Sequence, residues 1–120
     1  MGPVAASHTP SYRDEHLVID YEHQLATLDN ERMPLTRKEY DLLSLLVRHA
    51  GEIIPRDALL LQVWGYGAEI RTRTLDVHVR RLRKKLGGYA DQYIETIFGI
   101  GYRFQPFHAP RYFHPAAAGA

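Results

Sequence analysis

Arg71 to Lys85 reads RTRTLDVHVRRLRKK, and its residue types could recognise a polyanion. Seven of these residues are basic (Arg71, Arg73, Arg80, Arg81, Arg83, Lys84 and Lys85) and one, Asp76, is acidic. The 120-residue chain holds 15 basic and 14 acidic residues, so outside this stretch 8 basic face 13 acidic ones. A chain of net charge +1 therefore gathers about +6 on one helix-sized element. Such localisation fits a polyanion bound at one place. The bland alternative is a solvated charged face. Those faces usually mix signs at i, i+4, whereas this one is almost wholly positive.

The chemistry can be made more specific. The major groove of B-form DNA admits one α-helix. An arginine offers a two-pronged donor that matches guanine O6 and N7. Val77 offers a methyl surface to a thymine methyl. Asp76 repels phosphate, so it is out of place in an indiscriminate clamp. It could accept from a cytosine amino group or hold a neighbouring arginine rigid. An acid inside a basic stripe thus favours sequence reading over simple adhesion.

Positioning elements can be read on either side. Leu75, Val79, Leu82 and Leu86 recur at four, three and four residues, the stripe of a helix buried on one side. Arg73, Val77, Arg80 and Lys84 repeat that spacing on a different face. The spacing predicts a helix from a cap at Thr72 to Leu86, ended by Gly87-Gly88. Thr36 and Glu39 form a capping box, with Leu35 and Tyr40 at the staple positions. They open a broad-faced helix that stops at Gly51. Glu52-Ile53-Ile54 reads as a brief extended link. Asp57–Trp64 reads as a short helix after Pro55, which offers no capping oxygen, and Gly65–Ile70 as a loop. Upstream, Leu17–Asp20, Gln24–Leu28 and Arg32–Leu35 read as strands of an antiparallel sheet. Downstream, Tyr93–Phe98 and Tyr102–Phe104 read as a hairpin around Gly99-Ile100-Gly101.

Composition sets limits. One domain is expected over residues 13–107, after a linker or cloning remnant at 1–12 and before a tail at 108–120. There is no cysteine, hence no disulfide framework or thiolate metal site. That suits a reducing cytosol, and cytoplasmic localisation is the expectation. No apolar run approaches a membrane span, and the first residues lack a signal-peptide pattern. Seven histidines form neither HxxxH nor HExxH, so no metal is expected. Gly99-Ile100-Gly101 lacks the strand-then-helix context of a nucleotide loop. No acid, base and nucleophile fall into a catalytic pattern, and no cofactor is expected. RNA binding is weaker still, because no aromatic stacking platform is visible.

Strands, helix, link, helix, basic helix and hairpin follow in that order. The phrases LTRKEYDLLSLLVRHAGEIIPRDALLLQVWG, RTRTLDVHVRRLRKKL and IETIFGIGYRF make Leu35–Phe104 resemble the OmpR/PhoB family, the DNA-binding effector domains of two-component response regulators. The resemblance implies an α+β winged helix-turn-helix: an N-terminal antiparallel sheet, three helices and a C-terminal hairpin wing. It implies sequence-specific double-stranded DNA binding, with Thr74, Asp76, Val77 and Arg81 at base edges. It also implies phosphate contacts from Arg73, His78, Arg80 and Arg83, from the indole N–H of Trp64, and from Thr96 and Tyr102 on the hairpin. Trp64 and Tyr102 could equally be packing residues.

At the wing tip (Phe98, Gly99, Ile100, Gly101) the chain departs from the family, which commonly places an arginine where Phe98 stands. Phe98 could pack inward, lie against sugars or wedge between base steps; the expectation is little preference at the flanking minor groove. The loop Gly65, Tyr66, Gly67, Ala68, Glu69, Ile70 is where relatives often contact RNA polymerase. Relatives also carry a receiver domain, of which residues 1–12 could be linker remains, and often pair head-to-tail on direct repeats. The competing reading is a winged-helix module for protein partners. It calls for an apolar exposed helix face, which the basic helix lacks.

Overall fold

The computed structural model describes residues 11–65 and 72–108. β1 (Tyr12–Arg13), β2 (Leu17–Asp20), β3 (Leu25–Leu28) and β4 (Glu31–Arg32) form an antiparallel sheet in chain order. Alternation sets the face of β2: Leu17 and Ile19 are fully buried, while Val18 and Asp20 are partly open. Asp29 and Asn30 both take positive φ, 50° and 69°, and Leu28 pairs with Glu31. That is the two-residue turn whose twist suits a tight hairpin.

Two sequence expectations need correction here. The strand expected over Arg32–Leu35 is only Glu31–Arg32. Met33 N–H still donates to the Ala26 carbonyl, and Pro34, lacking an N–H, ends the pairing. Tyr12, expected in the linker, instead pairs with Ile19 and sets its ring edge-on to Phe104 at 5.5 Å.

α1 (Arg37–Arg48) starts at the expected capping box. Thr36 Oγ1 accepts from Glu39 N–H at 3.2 Å, and Glu39 Oε1 accepts from Thr36 N–H at 3.0 Å. Gly51 takes φ +88° and donates its N–H to the Phe104 carbonyl, turning the chain into β5 (Ile53–Pro55). The expected link is therefore a strand, paired antiparallel with β7 (Gly101–Phe104). α2 (Arg56–Trp64) follows Pro55 without a side-chain cap. α3 (Thr72–Leu86) is the basic helix, with Thr72 its first residue.

A 3-10 turn (Gly87–Tyr89) and a one-turn helix, α4 (Ala90–Tyr93), then intervene before β6 (Ile94–Ile97). β6 is one residue shorter at each end than the strand expected over Tyr93–Phe98. The second sheet runs β5-β7-β6. The whole is a winged helix-turn-helix: α2 and α3 form the helix pair, β6 and β7 the wing.

The core lies between the first sheet, the three long helices and β7. Leu42, Leu43 and Leu46 of α1 and Leu75, Leu82 and Leu86 of α3 are fully buried there. Tyr93 stacks on Phe104, with centroids 5.5 Å apart. Asp14 fastens Tyr12 and Phe107, near the two limits of the described residues, to this core. It accepts from Tyr12 Oη at 2.5 Å, Tyr93 Oη at 2.6 Å, and the N–H groups of His16, Leu17 and Phe107. Burial alone would raise its pKa, but these hydrogen bonds prevail and hold it below the usual carboxylate range. The Phe107 ring meets His16 edge-on at 4.5 Å, so the start of the tail folds back. Residues 109–120 lie outside the described residues.

Asp14→Asn should cost about 2 kcal/mol at neutral pH, because charge-assisted bonds become neutral ones. A depressed folded pKa stabilises above the unfolded value and loses its effect as pH falls through the folded value. Denaturant melts of the two proteins should therefore differ fully above about pH 4 and converge in acid; a pH-independent gap would contradict the role. At Gly101 an added Cβ would lie 2.0 Å from the Ile54 carbonyl oxygen. Gly101→Ala must push β5 from β7 and should cost about 1–3 kcal/mol in the same melts.

Candidate nucleic-acid interface

α3 is fixed along one side and open along another. Leu75, Val79, Leu82 and Leu86 are all buried. Arg73, Arg80, Arg81 and Lys84 are exposed and have no hydrogen-bond or ion-pair partner among the described residues. Thr74, Val77 and His78 are partly exposed beside them. Arg71 lies outside the described residues.

Two other cations of the helix point into the fold. Lys85 Nζ donates to Glu39 Oε1 at 2.5 Å and to the Pro34 carbonyl at 2.7 Å. Glu39, only 1% exposed, thus serves both the α1 cap and a cation of α3. Burial pushes its pKa up, but Lys85 and the Thr36 N–H outweigh that and keep it low. Arg83 Nη2 donates to the Ile94 carbonyl at 2.8 Å and to Thr96 Oγ1 at 2.7 Å. Its Nε is buried without a partner.

Asp76 takes one of the two roles open to it, that of holding an arginine. Its Oδ2 accepts from Arg56 Nη2 at 2.6 Å, and its Oδ1 accepts from Tyr102 Oη at 2.7 Å. Desolvation raises its pKa, but the bonds from Arg56 and Tyr102 win and lower it. Each oxygen takes one bond within the fold, and the side chain stays 46% exposed with further lone pairs on its open side. The arginine it holds is Arg56 of α2. Of the two roles open to Tyr102, the fold favours packing: it is 5% exposed, and its hydroxyl donates to Asp76. Burial, then Asp76, raises its pKa. For Arg83, at most the other guanidinium nitrogen, Nη1, is left for a phosphate. Thr96 is exposed and uses its oxygen as an acceptor for Arg83.

Trp64 is partly exposed, its ring edge-on to His78 at 4.9 Å. His78 Nδ1 faces the Thr74 carbonyl at 2.8 Å, so that nitrogen donates and Nε2 is left for any other partner. Lys38 Nζ donates to the Val63 carbonyl at 2.8 Å, binding α1 to the end of α2. At the wing tip Phe98 is 93% exposed, which removes inward packing from its three options. Of the loop, Gly65 ends α2 at φ +91°; Tyr66, Gly67, Ala68, Glu69 and Ile70 lie outside the described residues. No helix among the described residues is long and apolar enough to cross a membrane.

Arg56 and Lys38 escaped the sequence reading. Arg56 meets Asp76 from 20 residues away, at no helical or strand spacing. Its one signal was a lone cation in the first turn of a helix whose N-terminus does not favour cations.

A basic helix held in this frame has known counterparts. Residues 30–104 match the family described as "Transcriptional regulatory protein, C terminal". The chain belongs to that family. It is an OmpR/PhoB-type effector domain, a class of transcription factor domain and not of enzyme. The response regulator ArlR of Staphylococcus saprophyticus is 40% identical over 87 residues, 72% of this chain and 40% of that protein. The chain thus spans about two-fifths of the length of such curated relatives. The Thermotoga maritima OmpR/PhoB homologue DrrB superposes with a TM-score of 0.74 at 28% identity, over 87% of this chain and 48% of that one. The Klebsiella pneumoniae RstA DNA-binding domain, solved in complex with the RstA box, gives 0.71 at 35% identity, over 80% of this chain and 97% of that one.

In this effector domain the Arg56–Asp76–Tyr102 cluster joins α2, α3 and the wing. Asp76→Asn should cost about 1 kcal/mol, a modest figure because the pair is partly solvated. Amide hydrogen exchange should quicken in β6 and β7 more than in α1. Unchanged protection of the wing would show that the cluster does not hold it.

Proposed function

We propose that this chain binds double-stranded DNA sequence-specifically, as the effector part of a bacterial transcriptional response regulator. α3 enters the major groove and the β6–β7 wing lies beside the adjacent minor groove. One observation carries the reading: four cations without a partner among the described residues stand outward on a helix whose other side is bolted to the core. The likeness to RstA, solved on its DNA box, supports it.

Arg81 is the base reader of choice, with Thr74 and Val77 beside it. Arg73, Arg80 and Lys84 hold phosphates, joined by Trp64 and His78. A phosphate bond from His78 needs a proton on Nε2 as well as on Nδ1. Asp76, Tyr102 and Arg83 serve by fixing the angle between helix and wing. The same reading extends to three partners by family likeness: RNA polymerase at the 65–70 loop, a receiver domain, and a second copy head-to-tail on direct repeats.

A selection from random duplexes should return a defined motif. With about four to six phosphate contacts, log K should fall against log salt with a slope of roughly −4 to −5. Arg81→Ala should weaken the selected site by about 1–3 kcal/mol and relax one base position. Arg80→Ala should instead weaken all sequences alike and flatten the slope by about 1. Identical behaviour of the two variants across a site library would refute these roles.

A further inference from the structure

We propose that Phe98 is an uncharged minor-groove contact, its ring lying against deoxyribose on the wing side of the site; this rests on the DNA reading above. Among the described residues, no other large apolar side chain is so open: Ile100 is 52%, Ile53 41% and Leu61 37% exposed. Burying a phenylalanine typically gains about 1.5–3 kcal/mol. The fold leaves that gain unused, so the ring is available to something outside.

The tip cannot readily turn the ring inward. Ile100 N–H donates to the Ile97 carbonyl at 2.9 Å, and the Ile100 carbonyl accepts from Arg56 N–H at 3.0 Å. Gly99 takes φ +75°, and Gly101 is pressed against the Ile54 backbone. The wing is also tied to α3, by Arg83 to Ile94 and Thr96 and by Asp76 to Tyr102. The offset between the ring and the outward cations of α3 is therefore fixed. A duplex that holds α3 receives Phe98 at one place along its flank.

The chemistry of that contact follows from the side chain. A ring without charge gains nothing from the negative potential that draws arginine into narrow A/T grooves. It gains from removing apolar ring and sugar C–H surface from water. That gain is insensitive to salt and nearly indifferent to sequence. The ties that hold the wing to α3 favour this occupant over a second copy of the chain. Fixed, unstrained backbone ties favour a sugar contact over a wedge, which must also unstack a base step.

The test uses the full chain, a selected duplex, and the same duplex trimmed by about five base pairs on the wing side. Phe98→Ala should bind the long duplex about tenfold more weakly. The salt slope and the thermal melt should not change. On the trimmed duplex the two proteins should bind equally. Phe98→Arg should steepen the slope by about 1 and add A/T preference at the flank. Equal affinity of wild type and Phe98→Ala for the long duplex would overturn the inference. So would a 2-aminopurine signal at the flanking step that rises only with the ring present, which marks a wedge. Loss of self-association in Phe98→Ala, measured by sedimentation without DNA, would overturn it in favour of a protein contact. If the wild type selects no duplex at all, the DNA reading itself fails. If it does and Arg81→Ala loses specificity while Phe98→Ala is silent, only the tip inference fails.

Discussion

A helix rich in cations can sit on a protein core only if its charges are turned outward or met one by one. α3 does both. Each of its four buried aliphatic residues is worth roughly 1.5–3 kcal/mol of apolar burial. Repulsion between exposed, screened charges costs only a fraction of that per pair. Burial therefore sets the rotation of the helix. Lys85 and Arg83 fall at the margins of the buried stripe and find Glu39, Pro34, Ile94 and Thr96. Arg73, Arg80, Arg81 and Lys84 fall on the open side, where water is the only solvent the fold provides.

The inward charges give the outward ones their geometry. Lys85 ties α3 to the start of α1, where Glu39 already closes the cap. Asp76 ties it to Arg56 of α2 and to Tyr102 of β7. Arg83 ties it to β6. α1, α2 and the wing thus form one rigid bracket around α3. Such preorganisation lowers the ordering cost of binding and fixes where both the cations and the wing tip meet a partner.

Much of this was legible in the sequence because it is periodic or local. The buried stripe of α3 and the Thr36–Glu39 box lie within spans of a few residues, and the structure has both. The hairpin around Gly99-Ile100-Gly101 was legible for the same reason. What escaped was long-range. Nothing local marks Tyr12 as a strand residue, since its pairing with Ile19 and its contact with Phe104 exist only once the sheets meet. Ile53–Pro55 looked like a link because a three-residue edge strand has no pattern of its own. The partners of Asp76 are not legible because they lie 20 and 26 residues away. Spacing along the helix gives no sign of them, because they come from α2 and the wing.

The most direct test of the central claim is an NMR titration of the chain with a duplex selected from random sequence. Backbone amide shifts should move most at Arg73, Val77, Arg80, Arg81 and Lys84 and at the wing tip. The interior of the first sheet should stay still. Largest shifts on β1–β4, with α3 unmoved, would contradict the account.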